Sequence, residues 1–146
     1  MALDPPVHAH LRALLATAGG AGGFAHLAWG EPELRFAHQI NEQEHGLRTP
    51  LAALYRALRD SGGAAGEELE AVLRGDASRP RSPQLAGRLL RVLLELRLVS
   101  LDRDRRAVRL AAAERTALER SPAFRAYEHR REDGHRYLSR ATARAA

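Results

Sequence analysis

Along this chain apolar residues recur every three to four positions, in blocks separated by short stretches of glycine, proline and charged residues. Residues 8–17 read as a short helix with Leu11, Leu14 and Leu15 on one face, ended by the glycines at 19–23. Residues 24–29, FAHLAW, are apolar without helical spacing and read as a buried strand. A second helix is expected over residues 31–45, opened by Pro32 and acidic residues that suit a helix N-terminus. Thr49 and Pro50 are expected to act as N-cap and first residue of a helix over 51–59, which Ser61, Gly62 and Gly63 stop. The next helix covers 65–74 and ends at Gly75; DASRPR, residues 76–81, is a polar loop. Ser82 and Pro83 then restart a helix whose Leu85, Leu89, Val92, Leu93 and Leu96 share one face, widened by Leu90 and Leu94.

After that helix the period changes to two. Val99 and Leu101 alternate with Ser100, and Val108 and Leu110 with Arg109, so a hairpin with one face packed on the helices is expected. Ser121 and Pro122 open a last helix, with Phe124, Tyr127 and Leu138 on one side and Gly134 permitting close approach. Helix, helix, helix, hairpin is the order of a winged helix-turn-helix. The fold class read from the pattern is therefore α+β, mainly α. A winged helix spans residues 47–113, a partial α/β layer lies at the N-terminus over 1–46, and a long C-terminal helical segment covers 114–146. A single interior strand cannot satisfy its own backbone, so residues 1–46 read as a piece of a larger layer, with self-association through the strand as an alternative.

Composition removes several kinds of chemistry. With no cysteine there are no disulfides, thiolate metal sites or cysteine nucleophiles. The apolar runs are too short for a membrane span and Met1 is followed by Asp4, Pro5 and Pro6, so a cytoplasmic location without membrane contact is expected. Every basic residue other than histidine is arginine, which a GC-rich genome accounts for simply. The distribution of charge says more. Residues 1–78 hold six arginines against ten acids and residues 79–146 seventeen against eight, giving −4 and +9 within the net +5. An acidic partner for the second half is one reading, and solvated surface is the other.

The arginines supply the only candidate site. Arg103, Arg105 and Arg106 fall in the turn of the hairpin and Arg109 on its second strand, where guanidinium groups suit phosphate. Arg125, Arg136 and Arg140, with His129, form a stripe on the last helix that Asp133 interrupts. The helix over 83–95 has only a narrow polar stripe, Gln84, Arg88, Arg91 and Glu95, and Glu95 can pair with Arg91 one turn away. Reading base edges needs a broader polar face, so sequence-specific recognition is not expected. No catalytic residue is identified. His129 with Asp133, and Glu132 with His135, offer two potential metal ligands each without a third, so no metal or cofactor is expected in this chain.

These residues resemble a known family. LLRVLLELRLVSLD, the break at 105–108 and ERSPAFRAYEHRREDGHRYL are similar to the C-terminal region of RecJ-type single-stranded-DNA-specific exonucleases of the DHH superfamily. Upstream, LDPP and FAHLAWGEPEL look like the second half of the helicase-like layer that precedes it. The resemblance implies a non-catalytic accessory domain or fragment of such a nuclease, with a role in DNA repair and recombination. Its partner would be single-stranded DNA, bound weakly and without sequence preference, or a repair protein. The parent family cuts 5′ to 3′ with manganese or magnesium, but its Asp-His-His motif is missing here. A free-standing winged-helix transcription regulator is the alternative. A protein-interaction module meeting its partner through Leu90 and Leu94 is a third reading.

Overall fold

The computed structural model describes residues 30–78, 80–111 and 116–145, with side chains as far as Ser139 in the last helix. The expected helix over 8–17 and strand over 24–29 lie outside the described residues, as does the side chain of Arg140. The described elements are α1 (Glu31–His45), α2 (Arg48–Asp60), β1 (Ala64–Ala65), α3 (Gly66–Arg74), α4 (Pro83–Glu95), β2 (Val99–Asp102), β3 (Ala107–Leu110), a 3₁₀ turn (Leu118–Arg120) and α5 (Pro122–Ala145). Among the described residues the fold is mainly helical with one small three-stranded antiparallel sheet.

These elements form two compact units. One runs from Gly46 to Glu128; the other contains α1 and the part of α5 from His129 onward. The single helix α5 thus contributes to both, although residues 114–146 read as one segment in the sequence.

Within the first unit, Leu47, Leu51, Leu54 and Leu58 bury one face of α2. Thr49 and Pro50 are not its cap, as the sequence pattern had indicated. The helix already includes Arg48, and the Leu47 carbonyl accepts the Leu51 amide at 2.9 Å. Leu47 has helical backbone and is wholly buried, so apolar burial sets the start of α2 rather than side-chain capping. Gly62 and Gly63 end the helix with φ of 71° and 121°. A Cβ on Gly63 would lie 2.8 Å from the Val108 carbonyl oxygen, so only glycine fits between α2 and β3.

That close approach delivers β1, an element with no visible signature in the sequence. Its two alanines pair with β3 in the register Ala64↔Val108 and Ala65↔Ala107, which places β3 between β1 and β2. β2 pairs with β3 from Val99↔Leu110 to Asp102↔Ala107. Val99 and Val108 are buried against the helices as the alternation predicts, whereas Leu101, near the turn, stays 37% exposed.

The expected cap of α4 is present, with the Ser82 hydroxyl accepting the Leu85 amide at 3.0 Å and Pro83 as the first helical residue. At the other end Leu98 donates to the Leu93 carbonyl at 3.0 Å, a helix-ending turn that needs a left-handed residue. Arg97 fills that position at φ 55° where glycine is usual. α5 begins on a tertiary cap. Ser121, fully buried, accepts the Phe124 amide at 3.0 Å and donates to Glu95 at 2.6 Å, and Glu95 also accepts the Ala123 amide at 2.9 Å. The hydrogen bond from Ser121 outweighs the effect of burial and, with the Ala123 amide and Arg91, holds the Glu95 carboxyl below its ordinary range. The core of this unit joins α2, α4, the sheet and the first turns of α5 through Leu54, Leu89, Leu93, Val108 and Phe124.

Among the described residues of the second unit, the apolar cluster consists of Leu34, Ala37 and Leu138 with half-buried Tyr137. Buried Asn41 donates to the Arg131 carbonyl at 2.9 Å, and an added Cβ at Gly134 would come within 2.6 Å of its side chain. Gly134 therefore permits the close approach its place in the sequence indicates.

Candidate nucleic-acid interface

The hairpin joins β2 and β3 through residues 103–106, all exposed. The turn is built from its own backbone and one side chain: the Arg105 amide donates to Asp102 Oδ1 at 3.0 Å and the Arg106 amide to the Arg103 carbonyl at 3.2 Å. Arg106 closes it in the left-handed region at φ 48°, and its carbonyl accepts the Gly66 amide at 3.1 Å. The turn is thereby tied to the start of α3.

The four hairpin arginines are not equivalent. Arg106 reaches α3 and pairs with Glu70 at 2.8 Å, and the Arg105 guanidinium lies 3.9 Å from Asp102. Arg103 in the turn and Arg109 on the outer face of β3, opposite Ser100, have no acid partner among the described residues. Exposed pairs are worth well under about 1 kcal/mol, so an incoming polyanion can displace Glu70 or Asp102 at modest cost.

The expected stripe on α5 fares differently. Arg125 belongs to the first unit and donates to the Glu119 carbonyl. Arg136 belongs to the second and pairs with Asp133 at 3.1 Å, with Glu132 a further 3.9 Å contact. His129 Nδ1 also meets Asp133, at 3.1 Å. The structure thus gathers Arg103, Arg105, Arg106 and Arg109 on one hairpin and leaves Arg125 and Arg136 on separate units, each already engaged.

On α4 the Arg91–Glu95 pair forms as expected, at 3.1 Å. Arg88 is half-buried with its guanidinium 5.8 Å from the Tyr127 ring centre. Little of the polar stripe is left to reach a base edge. Arg81, in the basic loop before α4, is also committed, since its guanidinium caps α3 by donating to the carbonyls of Val72 and Leu73. Burial lowers its pKa, against the opposing charge of Asp76.

One polar cluster was not anticipated. Glu42 accepts from Arg131 at 3.0 Å and from His135 Nε2, while the rings of His38 and His135 lie 5.4 Å apart. Burial alone would raise the Glu42 carboxyl, yet the hydrogen bonds from His135 and Arg131 prevail and lower it. His38 is lowered by burial and by His135, with Glu42 opposing. The i, i+4 spacing of His38 and Glu42 was a visible signal, but their partners lie about ninety residues away. Among the described residues no three histidine, aspartate or glutamate side chains are arranged to hold a metal ion. None of the described helices is long and apolar enough to cross a membrane.

Compared with models of protein families, with characterised proteins and with solved structures, this chain matches none.

Proposed function

We propose that residues 46–128 are a winged-helix module that contacts a nucleic-acid backbone through its hairpin, as a non-catalytic accessory part of a RecJ-like single-stranded-DNA-specific exonuclease. The element order α2, β1, α3, α4, β2, β3, with the first short strand paired to the last, supports the winged-helix reading. The observation that carries the functional part is the exposed pair Arg103 and Arg109, which lack acid partners among the described residues and sit on a hairpin tied to the helical body through Gly66 and Arg106. With the backbone of the hairpin already fixed, binding phosphate needs only the arginine side chains to be ordered. The link to the exonuclease family rests on the sequence resemblance alone.

The arrangement of α4 favours backbone contact over base reading, because Arg91 and Glu95 neutralise each other and Glu95 is further engaged by Ser121. Fluorescence anisotropy with several unrelated oligonucleotides tests the proposal. Binding should be weak, indifferent to sequence and steeply dependent on salt. Replacing Arg103 and Arg109 together with alanine should weaken all oligonucleotides alike, and replacing Arg88 and Arg91 should matter less. A strong preference for one sequence that depends on Arg91 would favour the free-standing transcription regulator instead. Incubation with labelled single-stranded DNA and manganese or magnesium should leave the DNA uncut.

A further inference from the structure

The pairing of Arg106 with Glu70 has a consequence for how the hairpin meets its ligand. Glu70 lies on α3 one turn beyond Gly66, whose amide fixes the Arg106 carbonyl. Glu67 and Glu68 are exposed on the same short helix, so the surface beside the turn is acidic. The Arg106 backbone is held independently of its side chain, by Gly66 on one side and the Arg103 carbonyl on the other. The guanidinium is therefore free to change partner without unmaking the turn. Resting on the reading of the hairpin as a phosphate-contacting element, we propose that Glu70 is a built-in competitor for the phosphate site at Arg106. A carboxylate occupies the fork in the free protein, and binding exchanges it for a phosphate oxygen. No bond is made or broken in the exchange; one ion pair replaces another. The acids at 67, 68 and 70 also repel a polyanion from the α3 side, so the ligand approaches from the side of β2, where Ser100 and Leu101 are exposed.

The experiment uses the full chain with a short fluorescein-labelled DNA of mixed sequence, as duplex and as single strand, across a salt series. Glu70→Gln keeps the shape and removes the charge. It should tighten binding about two- to fivefold at low salt, the scale of an exposed ion pair. The slope of log affinity against log salt should stay near the wild-type value, because Arg106 meets a phosphate in both complexes. In an Arg106→Ala background the same Glu70→Gln change should have a smaller effect, and the slope should be shallower than wild type by up to about 0.9, one phosphate fewer neutralised. Circular dichroism melts of each variant establish that the fold is kept. If wild type binds and Glu70→Gln binds equally or more weakly, Glu70 positions Arg106 rather than competing for it and the proposal is overturned while the hairpin reading stands. If wild type and Glu70→Gln both fail to bind either DNA at low salt, the hairpin reading and this proposal fall together.

Discussion

In the unit from Gly46 to Glu128, Leu47, Leu54, Leu58, Leu89, Leu93, Val108 and Phe124 are almost wholly removed from water and pack into one continuous cluster. The unit of α1 and the end of α5 buries Leu34, Ala37 and Leu138, and sets beside them Asn41, Glu42, Arg131, His38 and His135. Apolar burial contributes roughly in proportion to area and is indifferent to protons. A network of carboxylate, guanidinium and imidazole depends on geometry and on pH. The two units should therefore fail under different stresses.

Truncation of a core leucine is the severest test of that contrast. Leu89→Ala should cost the first unit about 2–5 kcal/mol, through lost burial and the cavity left behind, read by chemical denaturation with hydrogen exchange to localise the loss. Leu34→Ala should cost less, because fewer apolar neighbours surround it among the described residues, and equal losses would show that the second unit buries Leu34 more fully than those neighbours imply.

Gly134→Ala comes next. The new methyl would meet Asn41, which must swing away from the Arg131 carbonyl and leave buried polar groups unpaired. A loss of about 1–3 kcal/mol confined to the second unit is expected. Protection of α1 amides that matches wild type would contradict the close approach.

Acid should separate the units more gently. The folded pKa of His38 is depressed, so its contribution is present in the neutral form and declines as pH falls below the ordinary imidazole value, about 6.5. Glu42 is also depressed, so its contribution is present above the ordinary carboxyl value and is lost as pH falls through its lower folded value. Glu95 follows the same sign in the first unit, where the apolar core remains. Hydrogen exchange corrected for intrinsic rates should show α1 loosening between neutral pH and pH 5, a window in which His38 alone of these three groups takes up a proton, while α2 and α4 hold. Parallel loosening of α4 would erase the distinction.

The smallest effect is a gain. Arg97→Gly should stabilise the first unit by about 1 kcal/mol, because a left-handed backbone that strains arginine suits glycine, less the entropy glycine returns to the unfolded chain. A thermal melt reads it directly. A lower melting temperature would mean that the stem of Arg97 packs favourably enough to offset the strain.

Much of this was legible beforehand. The spacing of Leu85, Leu89, Val92 and Leu93 marked the buried face of α4, and Ser82 with Pro83 its start, because both signals act within a few residues. The alternation around Arg103–Arg106 marked the hairpin for the same reason. β1 was missed since two alanines have no periodicity, and only the register with Val108 and Ala107 makes them a strand. Thr49 and Pro50 misled because a good local cap yielded to burial of Leu47.

The candidate site divides along the same line. The sequence by itself determined that arginines crowd the turn at 103–106, that Arg91 can meet Glu95, and that Asp133 breaks the stripe on α5. Only the tertiary structure decided that Glu70 takes Arg106 while Arg103 and Arg109 are left without an acid partner among the described residues. It also decided that Glu42 joins Arg131 and His135, and that Glu95 caps α5 across the gap from α4. Local pattern reports which side chains a segment can present. Which of them remain available to a ligand depends on charges brought together from dozens of residues apart, and ion pairs of that kind leave no periodic trace in the chain.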